Sequence, residues 1–276
     1  MPPLLSMGIR FTLAGLILFT FIYFRQGARE FQVPRPEIAS ASILGFVTLG
    51  FGIGNVAVAE AHVPTGVVSL IIAALPLWIA LFRTFSKEQI TKLTWVGTLV
   101  GFIGVIILLK PGSIESVSGV SSGTLFFYMF MVLLGNIGWA LGTYLSPRFP
   151  IPKNSLLFTG IEMLAGGIAL TIAGLIRGET LGDFLDGSNS SWLWFWYLVF
   201  VGSIAAYSAY LWLVMNAPVS LTATYAYVNP VIAVLLGVVF LNEVITLNYA
   251  LGGAIIILGV LTVVSSENKV KRLAKG

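Results

Sequence analysis

Few side chains in this sequence can do chemistry. There is no cysteine, so disulfides, iron–sulfur clusters and thiolate zinc sites are excluded. The one histidine, His62, leaves no His-pair metal site. No His-Glu-x-x-His motif occurs, and Asp183 and Asp186 fall together in a polar loop. The run Gly50-Phe-Gly-Ile-Gly54 sits inside an apolar stretch with no strand before it, so it is not a phosphate loop and ATP is not a driver. No metal or cofactor is expected, and catalysis is the weakest of the functional readings. What remains is a short set of polar groups embedded in apolar sequence: Arg10, Asn55, Asn136, Glu162 and Asn229, with Tyr225, Tyr227, Tyr207 and Tyr210. Such groups bind a solute or carry a proton.

The elements that must position them follow from composition. Of 276 residues, 57% are hydrophobic and 9% charged, where a soluble domain has roughly 25% charged residues. A water-soluble surface cannot be built from that, so the chain is an all-α polytopic membrane protein whose first partner is the lipid bilayer. Its net charge of +4 does not point to nucleic acid. A spanning helix needs about 20 apolar residues. Nine stretches qualify, near Pro3–Phe24, Ile38–Ala59, Thr65–Thr84, Leu93–Leu109, Gly123–Tyr144, Ser155–Ile176, Trp192–Met215, Leu221–Leu241 and Leu247–Val264. Continuous rather than alternating apolarity argues against a membrane β-barrel. Twelve of the fifteen basic residues lie in one alternating set of loops, against Lys110 and Arg177 in the other. This places the C-terminus in the cytoplasm and, with nine spans, the N-terminus of the chain outside.

The sequence repeats itself. Pro64 and Pro76 reappear as Pro218 and Pro230, Glu88-Gln-Ile-Thr91 as Glu243-Val-Ile-Thr246, and Gly97 and Gly104 as Gly252 and Gly259. Leu4-Leu5, Gly8-Ile9 and Gly15 return as Leu156-Leu157, Gly160-Ile161 and Gly167. Spans 1–4 thus correspond to spans 6–9. The shift of five spans makes equivalent helices point opposite ways, an inverted repeat of the kind many secondary transporters carry. Span 5 lacks a partner, so the expected ancestral plan is 5+5 helices and this chain lacks the first, through truncation or a misplaced start. The repeats run over residues 1–110 (four helices) and 122–265 (five helices), followed by a basic cytoplasmic tail, 266–276.

Tyr227-Val-Asn-Pro-Val-Ile-Ala-Val-Leu-Leu-Gly237, Leu241-Asn-Glu243, the Gly252-to-Gly259 helix with its first-half echoes, and Trp139-Ala-Leu-Gly-Thr-Tyr-Leu-Ser146 together resemble the EamA type of the drug/metabolite transporter superfamily. That resemblance covers essentially the whole chain. It implies movement of small organic solutes such as amino acids, other metabolites, nucleotide sugars or drugs, along a pathway that the family's first helix, the one expected to be missing here, helps to line.

Pro76 and Pro230 lie well inside spans 3 and 8. Each removes a backbone hydrogen bond and frees a carbonyl, which in lipid must meet protein or a water-filled cavity. Equivalent breaks in two halves point to the substrate site. The expected lining is Asn229, Tyr227, Tyr225 and Pro230, with Pro76, Asn55, Asn136, Trp139, Tyr210 and Trp212. Arg10 and Glu162 occupy equivalent repeat positions and are the candidates for coupling, since ionisable groups in a span are functional suspects. The competing expectation, and the favoured one, is that Glu162 is interfacial and reaches water past its helix end, and that Arg10 snorkels outward. Glu60 and His62 read as a solvated loop, and Thr91 and Thr246 as helix N-caps. Trp192, Trp194 and Trp196 read as an interfacial belt. With so little embedded charge, a neutral or zwitterionic solute fits best. Alternating-access transport, with export favoured, is the leading reading, driven by the solute gradient or by protons. A passive facilitator or channel, or a non-transporting membrane partner, stands behind it.

Overall fold

The computed structural model describes residues 1–88, 90–109, 121–217, 232, 236, 239, 240 and 246–273. Those residues are helical with short connections, and six helices are long and apolar enough to cross a membrane. They are α1 (Pro3–Arg25), α2 (Arg35–Ala59), α3 (Thr65–Phe85), α5 (Ser122–Leu145), α6 (Ser155–Ile176) and α7 (Asn189–Asn216). Two further helices, α4 (Lys92–Leu109) and α8 (Leu247–Leu273), have shorter apolar stretches. These eight stand where the apolar runs place spans. The remaining expected span, Leu221–Leu241, lies outside the described residues. Large apolar side chains such as Phe24, Ile106, Leu193 and Ile176 are exposed on helix surfaces, as lipid contact requires.

Two compact units form, and they divide the chain differently from the repeat. One consists of residues 1–58 and 142–218, the other of 59–141 and 219–276. Each therefore draws on both sequence halves.

In the first unit α1 packs along α6. The glycines explain how closely. A Cβ on Gly15 would lie 3.0 Å from the carbonyl oxygen of Gly160, and one on Gly167 would lie 2.9 Å from that of Gly8. In the repeat Gly8 corresponds to Gly160 and Gly15 to Gly167. The contacts join Gly8 to Gly167 and Gly15 to Gly160, a crosswise pairing that exchanging the halves leaves unchanged. In the second unit α4 and α8 repeat the pattern. A Cβ on Gly97 would lie 2.8 Å from the Gly259 carbonyl, and one on Gly104 would lie 2.9 Å from that of Gly252. In a membrane, where apolar surface gains little from leaving lipid, such small-residue crossings are what hold helices together.

The helix ends are capped within their units. Asn154 accepts from Leu156 N and Leu157 N at the start of α6, while its Nδ2 donates to Gln26 and Glu30. Glu179 accepts from Leu4 N at 3.2 Å and Leu5 N at 2.6 Å. Its carboxylate thus meets free N–H groups at the positive end of α1. Replacing Glu179 by Ala is expected to destabilise the protein by about 1–2 kcal/mol. The measurement is the thermal midpoint in detergent, and an unchanged midpoint would remove the cap from the account. Thr91 accepts from Thr94 N at 3.0 Å ahead of α4, as a cap should. Glu88 pairs with Arg83 at 2.8 Å, so its charge is met by a side chain.

Two segments depart from α geometry. Phe46–Ile53 in α2 and Leu198–Tyr207 in α7 are π-helical. The offset that carries Gly8 onto Gly160 carries Phe46 onto Leu198 and Gly50 onto Gly202, so the two π segments occupy equivalent places in the repeat. Both lie in the first unit. Such widened turns are rare and gather at functional positions.

Candidate functional site

The first unit encloses a polar cluster built on those π segments. Glu162, in the second turn of α6, is 0% exposed. The water-reaching expectation for it is therefore wrong. It lies seven residues into the helix, about 10 Å from the start, and α2 covers it. A Cβ on Gly45 would lie 2.5 Å from Glu162 Cα and 2.7 Å from its carbonyl carbon. Only glycine lets α2 approach so near. Tyr207 Oη lies 2.5 Å from Glu162 Oε2. Thr48 Oγ1, in the other π segment, lies 3.4 Å from Tyr207 Oη and 2.7 Å from the carbonyl oxygen of Leu44. The Tyr207 ring stacks on that of Tyr210, whose hydroxyl is 2.5 Å from Thr143 Oγ1. Glu162 Oε1 is buried with no hydrogen-bond partner among the described residues, and so is Ser203 Oγ. A carboxyl normally has both oxygens met when buried, so the arrangement is built for something other than packing.

The second unit holds the other polar position. Helix α3 is broken at Ala74, between Thr65–Ala73 and Leu75–Phe85, with Pro76 in the first turn of the second piece. The proline break is thus present where the sequence places it. Asn136, 2% exposed on α5, donates from Nδ2 to the carbonyl oxygen of Ile71 at 2.7 Å. The same carbonyl accepts from Ala74 N at 3.1 Å, so Asn136 adds a second donor at the break. Asn136 Oδ1 and Trp78 Nε1 are buried without partners among the described residues. Trp139 and Trp78 pack against Leu75, Ile79 and Ala140 beside the break.

The remaining sequence candidates are scattered. Asn55 donates to the carbonyl oxygen of Phe51 in its own helix at 2.8 Å. Trp212 is 53% exposed. Arg10 is half-buried, its guanidinium carbon 4.3 Å from the centre of the Phe11 ring. Asn229, Tyr227, Tyr225 and Pro230 lie outside the described residues. His62 lies part-exposed in the turn after α2, and its ring stacks on Tyr128 at 3.9 Å. Of the three belt tryptophans, Trp194 and Trp196 are exposed, while Trp192 packs edge-on to Phe184 and Phe195. Sequence reasoning missed Thr48, Thr143, Ser203 and Trp78. A lone threonine or serine in an apolar run gives no signal, since it can bond its own helix backbone.

A set of apolar helices with polar side chains placed at broken or widened turns defines a polytopic integral membrane protein. A profile of the EamA-like transporter family matches residues 1–110 and 126–265, and the chain belongs to that family. It is 38% identical over 237 residues to the inner membrane transporter YedA of Escherichia coli (strain K12), covering 86% of this chain and 73% of YedA. It is 26% identical over 269 residues to the transporter YyaM of Bacillus subtilis (strain 168), covering 94% of this chain and 84% of that one. Protein PecM of Dickeya dadantii (strain 3937) is 26% identical over 243 residues, covering 84% and 77%. A crystal structure of a protein 20% identical matches with a TM-score of 0.68 over 97% of this chain and 90% of that one, which shows the shared fold. The protein is thus an integral inner membrane protein of the transporter class.

Proposed function

We propose that the chain is a secondary transporter that moves small neutral or zwitterionic organic solutes, amino acids and related compounds among them, out of the cell by alternating access. The observation that carries this reading is the break in α3 at Pro76, with Asn136 beside it. There the Asn136 amide meets the Ile71 carbonyl, and the Trp78 ring packs beside the same break against Leu75 and Ile79. Such a place suits the polar but uncharged parts of a solute, and two of its groups, Asn136 Oδ1 and Trp78 Nε1, have no hydrogen-bond partner in the described protein. A strongly anionic solute would want basic residues there. The loop charges support a cytoplasmic C-terminus, with the N-terminus of this chain on the other side.

Uptake of labelled amino acids and related amines into proteoliposomes tests the reading. Saturable uptake with counterflow is expected for at least one member. Asn136→Ala should lower it about tenfold, the equivalent of one lost hydrogen bond of ~1.4 kcal/mol. Uptake without saturation or counterflow would make the protein a passive facilitator. No uptake of any member would overturn the solute class.

A further inference from the structure

Counting donors at the Glu162 cluster leads to a second role for this chain, one that rests on the transporter reading. Three contacts run in line: Glu162 Oε2 to Tyr207 Oη at 2.5 Å, Tyr207 Oη to Thr48 Oγ1 at a longer 3.4 Å, and Thr48 Oγ1 to the Leu44 carbonyl oxygen at 2.7 Å. Tyr207 and Thr48 have one hydroxyl hydrogen each. With Glu162 ionised, Tyr207 must give its hydrogen to the carboxylate and Thr48 gives its own to Leu44. The contact between the two hydroxyls is then left without one. Adding one proton at Glu162 makes the count close. The acid donates to Tyr207, Tyr207 to Thr48, and Thr48 to the Leu44 carbonyl.

Among the described residues no cationic side chain hydrogen-bonds to the Glu162 carboxyl. On α1, packed against α6, the charged side chains are Arg10, whose guanidinium lies over Phe11, and Arg25 in the last turn. On α2 they are Arg35 and Glu37, both in its first turn. On α7 the titratable groups facing the cluster are Tyr207 and Tyr210. At the end of α5, Arg148 lies 3.7 Å over the ring of Tyr144 and donates to its carbonyl oxygen. None of these hydrogen-bonds to the Glu162 carboxyl. The backbones of Gly45 and Glu162 lie against each other with no side chain between them. A proton is the cation that needs no room there.

The two π segments supply the other requirement. A group that exchanges protons with both sides of a membrane must change its surroundings. Thr48 and Tyr207 each sit on a widened turn, where the backbone register differs from that of the flanking α-helix. We propose that Glu162 takes up and releases the coupling proton of this transporter, with Tyr207 and Thr48 as the hydroxyl relay that leads to it. The proton adds to the carboxylate to give the acid and leaves from the same oxygen. No bond other than O–H is made or broken.

The test has one arm that needs no solute. Purified full-length protein is titrated with pH in lipid and followed by infrared difference spectroscopy. A C=O stretch of a protonated carboxylic acid is expected in the unsubstituted protein and absent in Glu162→Gln. In Tyr207→Phe the band should persist at a displaced frequency, because its hydrogen-bond partner is gone. The second arm is uptake of labelled amino acids and related amines into acid-inside vesicles with the membrane potential clamped. A gradient of one pH unit should sustain about tenfold accumulation per proton exchanged, and Glu162→Gln should abolish that response. An identical carboxylic-acid band in Glu162→Gln overturns the assignment, and so does an accumulation in that variant that still follows the gradient. Saturable uptake by the unsubstituted protein with no response to the gradient overturns it too, while leaving the transporter reading intact. A band that vanishes in Glu162→Gln while no solute is taken up would support the proton site and remove the proposed solute class. Size-exclusion profiles of both variants show whether either has failed to fold, and the Tyr207→Phe frequency decides the assignment if Glu162→Gln has.

Discussion

Replacing Gly259 with leucine is expected to abolish recovery of monodisperse protein. A Cβ there would stand 2.5 Å from the Cα of Gly101 and 2.7 Å from the carbonyl oxygen of Gly97. Both are backbone atoms of α4, which cannot rotate aside as a side chain can. The two helices would have to separate, and the matching contacts at Gly97 and Gly104 would go with them. Overpacking a well-filled core costs about 1–3 kcal/mol. Here the loss also includes the close packing that holds the pair together, because apolar side chains lose nothing by facing lipid instead. Gly123→Leu is the control, since nothing lies within 4 Å of a Cβ at that position. Thermal unfolding followed by size-exclusion in detergent should give a broad, early transition for Gly259→Leu and an unchanged one for Gly123→Leu. Equal midpoints would show that the crossing is not what stabilises the second unit.

Gly45→Val should be nearly as severe and should strike the first unit. The added Cβ would meet the Cα and carbonyl carbon of Glu162. It would therefore push α2 off α6 at the very residue whose carboxyl pairs with Tyr207. Two losses are expected, a lower thermal midpoint and a weaker Glu162–Tyr207 contact. Gly50→Ala provides the comparison, because its Cβ would meet the Ala169 Cβ at 3.3 Å, a gap that a slight shift accommodates. A drop of several degrees for Gly45→Val against at most a degree or two for Gly50→Ala is the expected order. The reverse order would show that α2 has room to move at Glu162.

The spans were legible because membrane helices must be apolar over a fixed length, and this chain has few charges to confuse the pattern. The α3 break was legible for an equally local reason, because Pro76 has no N–H to give. Glu162 was misplaced because its depth along α6 says nothing about what covers it sideways. The cover is Gly45, more than a hundred residues earlier in the chain. Thr48 was invisible for the same reason, since its meaning comes from Tyr207 across the unit. The π segments leave no mark in composition. Only their equivalent places in the two halves tie them to the repeat that the glycines and prolines reveal.

The crosswise glycine contacts also set a schedule for synthesis. Among the described residues, Gly8 and Gly15 of α1 meet the backbone of α6, and Gly97 and Gly104 of α4 meet that of α8. In each pair the second helix is made roughly 150 residues after the first, which at about 5–20 residues per second is a wait of about 8–30 s. Through that interval a newly inserted helix lacks the glycine-bearing helix that closes these contacts in the folded protein. Neither half of the sequence can complete its packing alone. The nascent protein therefore depends on what shields those glycines in the meantime, be it lipid, the insertion machinery or a neighbouring helix held in a provisional pairing.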